Sequence, residues 1–305
     1  MFSPYSVTEI KDACARMHVH PSRDRGQNFL VDERVAEVMI RAAGLSRGDQ
    51  CLEIGPGLGA LTFKLADHGV RLHALEIESK FVMFLREELE KRNQKNVVVV
   101  EGDVLQILPS LSSRGETERS RGEVRGTMGF LTEFAPSKIE GFEVTHATII
   151  ASLPYSITGD FFSILFDMAF PFTRVVLLLQ KEVAMRLVAK PPHMSLLGIL
   201  AQWHTEVVLV QKVSPSAFWP QPEVESAIVV LDAKKEKAQD GIAAVSFVIA
   251  FPLIKRAFKA PRKKIKTTLA HFNLDKVRDL GLLDKRPSEL SLDDWVRLGK
   301  AINKY

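Results

Sequence analysis

Ten residues, Glu53-Ile54-Gly55-Pro56-Gly57-Leu58-Gly59-Ala60-Leu61-Thr62, constrain this chain more than any other stretch. Cys51-Leu52-Glu53-Ile54 reads as the end of a buried strand, and Leu58 to Ala66 as the helix that follows. Three glycines fill the turn between them. Glycine reaches φ > 0 without strain and lets backbone approach a ligand closely. The unit therefore predicts a nucleotide-type loop opening a doubly wound α/β sheet. Its spacing is Glu-x-Gly-x-Gly-x-Gly, not Gly-x-Gly-x-x-Gly, and Pro56 removes an N–H that a pyrophosphate cradle would use. A ligand without phosphates fits better, and S-adenosyl-L-methionine is the expected cofactor.

Two acids further along support a ligand crevice here. Val70 to Glu76 reads as the second strand, and Glu76 lies where a carboxylate accepts from both ribose hydroxyls. Val97-Val98-Val99-Val100 is the third strand, followed by Asp103, which suits either an adenine amine or the N-cap of a helix. Upstream, Gly26-Gln27-Asn28-Phe29-Leu30-Val31-Asp32 precedes a helix with apolar Val35, Val38 and Met39. Asp32 is its expected cap; from composition alone Gln27 and Asn28 read as loop residues, with a polar pocket lining the sharper alternative.

Ala147 to Ala151 is the fourth strand and delivers Ser152-Leu153-Pro154-Tyr155. This matches the pattern [Asn/Asp/Ser]-x-Pro-[aromatic] of enzymes that methylate amino groups. An exocyclic amine conjugated to a ring is a poor nucleophile, and acceptors on its N–H groups turn its lone pair outward. The Ser152 side chain and the Pro154 carbonyl are the candidate acceptors, and Tyr155 the surface on which a displaced base stacks.

The remainder keeps an α/β rhythm: a helix from Asp160 to Phe170, a strand from Val175 to Leu179, and a helix near Lys181. A strand pair follows at Thr205–Val213 and Ser226–Leu231. In the proline-rich loop between that pair, Phe218 and Trp219 are candidate base contacts, although aromatic residues in such loops are more often structural. Residues 1–25 read as a polar leader with a short helix around Val7 to Met17. The Ser/Gly/Arg/Glu-rich stretch at about 111–145 reads as a flexible insertion. Asp232 to Asp240 is a charged linker. The expected organisation is thus a leader (1–25), a methyltransferase domain (26–232) and a helical RNA-binding domain (233–305). In the last, Lys255, Arg256, Lys259, Arg262, Lys263 and Lys264 belong to a run with no acid, which favours phosphate contact over a solvated face.

Bulk properties agree. The net charge is +4, no apolar stretch approaches the roughly 20 residues that span a bilayer, and Cys14 and Cys51 give neither a disulfide framework nor metal spacing. A metal-free, cytoplasmic monomer without a membrane partner is expected.

Taken together, Gly26 to Leu30, Glu53 to Thr62, Glu76, Asp103 and Leu153-Pro154-Tyr155 resemble the KsgA-type small-subunit ribosomal RNA adenine dimethyltransferases, relatives of the Erm methylases. Leu179 to Val183 with Arg186-Leu187, Pro215 to Phe218, and Arg286 to Ser291 carry the resemblance over nearly the whole chain from Arg25. It implies a Rossmann-like S-adenosylmethionine-dependent methyltransferase fold with a small C-terminal all-helical domain. It implies transfer of four methyls to two adjacent adenosines near the 3′ end of small-subunit (16S) rRNA, in a 30S-like particle. Gln27, Asn28, Leu30, Gly55, Gly57, Glu76, Asp103, Val104 and Ser152 are then the cofactor contacts. Two features depart from the pattern: the family usually has Asn at the position of Ser152, and the insertion is longer. The first raises an alternative, a weakly active or inactive RNA-binding assembly factor of the same fold. A third reading, an NAD(P) oxidoreductase, is disfavoured by Pro56 and by the absence of a Gly-x-Gly-x-x-Gly loop.

Overall fold

The computed structural model describes residues 1–21, 27–112, 147–154, 157–167, 172–234 and 241–302. Tyr155, Gly26, most of the 111–145 insertion and most of the 232–240 linker lie outside them.

A short antiparallel pair, β1 (Phe29–Leu30) with β8 (Phe218–Trp219), stands apart from the main sheet. Hydrophobic strands of five to nine residues build that sheet, which has seven strands. They are β2 (Gln50–Ile54), β3 (Arg71–Glu76), β4 (Val97–Glu101), β5 (Ala147–Ser152), β6 (Phe172–Gln180), β7 (Thr205–Val213) and β9 (Ser226–Ala233). The order is β4-β3-β2-β5-β6-β9-β7. β2 pairs in parallel with both β3 and β5, so the order reverses about β2 and opens a crevice beyond the carboxyl ends of β2 and β5. β2 to β6 read as near-continuous apolar runs because parallel strands are covered on both faces.

Helix α1 (Val7–Arg16) precedes the sheet, and α2 (Glu33–Ala43) packs into one core with Leu72, Ile150 and Val176. α2 starts on Asp32, whose Oδ1 accepts from Arg34 N–H at 3.0 Å, and it stops at Gly44, in the left-handed region at φ 63°. The helix after the glycine turn, α3, spans Thr62–Asp67 and so begins four residues later than Leu58. Gly57 and Gly59 sit at φ 55° and 88°, and a right-handed helix cannot pass through them. A Cβ on Gly59 would also lie 2.6 Å from the Phe63 ring. α4 (Ser79–Lys91) contributes Phe81, Phe84 and Leu85 to a second core with Ala74 and Val99.

That second core also takes in the N-terminal helix, so the described part of the expected 1–25 leader, residues 1–21, packs onto the domain. α1 buries Ile10, Ala13 and Cys14, and Phe2 meets Phe84 edge-on at 4.9 Å between ring centroids. The apolar residues are spaced one helical turn apart, and the charges between them face outward.

The chain divides into two compact units: Met1–Lys181 with Val210–Val230, and Glu182–Leu209 with Leu231–Tyr305. This differs from a single boundary near 232. Ile199 and Trp203, on a helix (Leu196–His204) capped by Ser195, pack into the second unit's core with Leu253, Ile254, Trp295 and Leu298. Among the described residues that unit is otherwise helical beyond β9: Gly241–Phe258, Ile265–Thr268, Leu292–Ile302 and short 3-10 turns.

Candidate cofactor and base site

Polar chain ends at the carboxyl edge of a parallel sheet are where ligands bind in this architecture. A cavity of about 450 Å³ lies there, wholly within the first unit. Gln27, Asn28, Leu30, Gly55, Gly57, Glu76, Asp103, Val104, Ser152 and Pro154 all line it. Residues separated by more than 120 positions are thus brought together by strand ends and the β1 segment.

Glu76 ends β3 and is 6% exposed. Its Oε2 accepts from Gly57 N–H at 3.0 Å, and Oε1 from the N–H groups of Ile77 and Glu78 at 2.9 and 3.0 Å. Burial raises its pKa, and these three donors work against that rise. The carboxylate therefore sets the shape of the glycine turn as well as facing the cavity. Asp103 caps a helix and also faces the cavity. Its Oδ1 accepts from Leu105 N–H at 2.9 Å, capping α5 (Val104–Ser112), and the residue also lines the cavity.

Ser152 is the last residue of β5. Two residues on, the Pro154 carbonyl already accepts from Ile157 N–H and Thr158 Oγ1, each at 3.3 Å. As an acceptor for a substrate amine it must release or share one of these long bonds. Phe218 does not face a base. It is 6% exposed, lies in β8 opposite Leu30, and packs into the core with Val35 and Met39. The aromatic loop is structural: Trp219 stacks on Phe29 at 6.4 Å.

Four lining residues carry further weight: Pro4, Glu53, Ile77 and Phe81. Ile77 is 67% exposed although it directly follows a buried acid, an apolar side chain held at the cavity. Its position one residue after Glu76 was the available signal. Glu53 is 1% exposed, and its Oε2 has no hydrogen-bond partner among the described residues. Burial pushes its carboxyl up to about 8, Glu76 adds to the rise, and Thr62 opposes it. The folded chain thus holds this proton more tightly than the unfolded chain, whose value is near 4.5. The associated stability is fully present below that value and is lost as pH rises through about 8, at up to about 1.4 kcal/mol per pH unit. Urea unfolding of Glu53→Gln should show a flatter loss of stability across this window than the parent chain.

The lining as a whole is acidic: Glu53, Glu76, Glu78 and Asp103, with no Lys, Arg or His among the described lining residues. With Glu53 protonated up to about pH 8, Glu76, Glu78 and Asp103 still disfavour a pyrophosphate and favour a net cation. No group of three His, Cys, Asp or Glu side chains among the described residues is placed to hold a metal ion.

In the second unit, Lys255, Arg256, Lys259, Arg262 and Lys263 are exposed. They run from the last turn of the helix Gly241–Phe258, where cations favour the helix dipole, into the following turn. Lys264 differs. It pairs with Asp284 at 3.1 Å, as Lys266 does at 2.8 Å, so an acid distant in sequence enters a run that carries none of its own.

The sequence matches the family model described as ribosomal RNA adenine dimethylase over residues 21–304. The chain belongs to this family. Among curated relatives, the ribosomal RNA small subunit methyltransferase A of Lactobacillus delbrueckii subsp. bulgaricus is 31% identical, over 94% of this chain and 92% of its own. The protein of that name from Treponema denticola is 30% identical, over 87% and 80% respectively. A dimethyladenosine transferase from Plasmodium falciparum has a similar structure, with a TM-score of 0.65 and 23% identity over 88% of this chain and 95% of its own. The 23S rRNA methyltransferase ErmE is similar at a TM-score of 0.66, 21% identical over 91% and 100%. Both solved structures share the fold of this chain.

Proposed function

We propose that the chain transfers methyl groups from S-adenosylmethionine to the 6-amino groups of two adjacent adenosines near the 3′ end of small-subunit rRNA. The observation that carries the cofactor is the acid-lined cavity at the turn of strand order. S-adenosylmethionine bears a sulfonium, an ammonium and one carboxylate, a net cation. Glu76 suits the ribose hydroxyls, and Ile77 with Val104 an adenine face. A phosphate-bearing dinucleotide would meet Glu76, Glu78 and Asp103 with no cation among the described lining residues. Family membership and the relatives' names support the RNA substrate, and they favour the enzyme over the assembly-factor reading.

When bound, the cofactor supplies an electrophilic methyl group. The chain's residues hold the acceptor amine. Ser152 Oγ accepts one amine N–H, and the Pro154 carbonyl accepts the other once it yields a bond to Ile157 or Thr158. These bonds rehybridise the nitrogen and aim its lone pair, while the apolar lining excludes water. Tyr155 is proposed as the stacking surface for the base. The nitrogen loses a proton on each transfer, and the exposed side of the site passes it to solvent. No covalent enzyme intermediate is involved. A cytoplasmic setting fits this substrate.

Methyl transfer from labelled cofactor to small-subunit particles lacking these methyls tests the reading. Dimethyladenosine at two adjacent positions is the expected product. No cofactor-dependent labelling would overturn it.

Lys255, Arg256, Lys259, Arg262 and Lys263 are proposed RNA phosphate partners. Neutralising Lys259, Arg262 and Lys263 together should lower RNA affinity and flatten its salt dependence by roughly 0.7–0.9 log unit for each phosphate no longer neutralised. Lys264→Gln should do less, because Asp284 already engages that ammonium. Filter binding over a salt series gives both slopes. Cofactor affinity should stay constant.

A further inference from the structure

The N-terminal segment is anchored on both sides of the cavity wall. Phe2 is buried against Phe84, and its carbonyl accepts from Arg92 Nη2. The Arg92 guanidinium lies 4.0 Å above the Phe63 ring centroid, the same ring that packs beneath Gly59. Ser3 N–H donates to Glu9 Oε2 at 2.8 Å, and Ser6 caps helix α1. Between these anchors Pro4 is buried and lines the cavity. Tyr5 then reaches across to the glycine turn, where its hydroxyl donates to the Ala60 carbonyl. Lys64 Nζ lies 5.8 Å from the centroid of the Tyr5 ring, and it is itself held by Glu33 at 2.7 Å and Glu37 at 3.3 Å on α2.

We infer that Tyr5 is a positioning residue of the cofactor site, tying the N-terminal segment to the glycine turn so that Pro4 forms part of the cavity wall. This rests on reading the cavity as the S-adenosylmethionine site. Residues 1–5 lie in no helix or strand, so side-chain contacts hold them in place. The Tyr5 hydroxyl ties this stretch directly to the turn whose shape decides ligand fit. Proline suits the wall because it presents no N–H of its own and its fixed φ limits motion. Burial, with Glu33, Glu37 and Glu53 nearby, raises the Tyr5 pKa, so the hydroxyl keeps the proton it donates.

Tyr5→Phe keeps the ring beside Lys64 and removes only the tether. In the ligand-free full chain, amide hydrogen exchange at Gly57 to Leu61 is expected to rise about 3–10-fold. Calorimetric S-adenosylmethionine affinity should fall by a similar factor, with the change in turnover falling on KM for the cofactor rather than on kcat. Pro4→Gly should weaken affinity too while leaving the Tyr5 tether in place. Unchanged exchange and affinity in Tyr5→Phe would overturn the inference. So would a lowered melting temperature with affinity unaltered, since that is a stability role alone. If the parent chain bound no S-adenosylmethionine, the reading of the cavity would fail, and the exchange measurement on ligand-free protein would still decide the tether.

Discussion

Glu76→Ala is expected to weaken S-adenosylmethionine binding by about 1–3 kcal/mol, a roughly 5- to 150-fold rise in Kd. The upper part of that range is the better expectation, because two losses combine. One is the proposed acceptor for the ribose hydroxyls. The other is the anchor for three backbone donors, on Gly57, Ile77 and Glu78. Those N–H groups must find water or leave their present positions, and the Gly57 N–H belongs to the glycine turn itself. Glu76→Gln separates the two contributions. Its amide oxygen can still accept, but its NH₂ faces a backbone donor, so the turn should be disturbed nearly as much. Calorimetry on the three proteins reads the effect. Equal affinity in parent and Glu76→Ala would remove the cofactor assignment from this crevice.

The second large effect is expected at Ser152. An unmethylated adenine amine has two N–H groups to satisfy, and the monomethylated one has a single N–H. One serine hydroxyl at a strand end, with a Pro154 carbonyl already engaged by Ile157 and Thr158, is a sparse set of acceptors. Loss of one well-placed acceptor costs about 10²–10³ in rate. Ser152→Ala should therefore slow the first transfer by up to that factor, and the second transfer less. Ser152→Asn should speed the first transfer, since an amide oxygen reaches further. The longer side chain takes room that the first methyl would occupy, so the second transfer gains less. Single-turnover assays on undermethylated small-subunit particles, reading mono- and dimethyladenosine by mass, distinguish these outcomes. Identical first-transfer rates for the parent and Ser152→Ala would mean the hydroxyl takes no part.

Much of the sheet is legible in the sequence because parallel strands advertise themselves. The Val97 to Val100 run and Ala147-Thr148-Ile149-Ile150-Ala151 are apolar on both faces, and the polar residues that follow them mark the ligand edge. The cavity lining is legible for the same reason: Glu76, Asp103 and Ser152 each end or follow such a strand. Other features have no local signal. Phe218 has the composition of a base contact, and only its pairing with Leu30 sends it into the core. Asp284 joins the basic run through tertiary packing, far from the residues it neutralises. The start of α3 is masked because helix-forming residues occupy Leu58 to Leu61 while two glycines enforce another backbone. The N-terminus is disguised by its charges, since Ile10, Ala13 and Cys14 are a narrow apolar stripe among polar neighbours. Glu53 is visible as part of the glycine motif, but its proton affinity depends on burial that no short stretch reveals.

The interleaving of the two units along the chain has a consequence for how the molecule is made. A polypeptide leaves the ribosome from its N-terminus, and units generally fold as they emerge. The strands β2 to β5, whose carboxyl ends line the cavity, are complete before Lys181 has been synthesised, but β1, which lines it through Phe29 and Leu30, still lacks its partner β8. The next segment, Glu182–Leu209, belongs to the other core, whose remaining helices come last. Its apolar Ile199 and Trp203 must therefore wait, uncovered, while β7 and β9 extend the sheet. The cavity lining thus gains its last partner strand, β8, before the basic run exists, whereas the second core stays incomplete until Trp295 and Leu298 have been made.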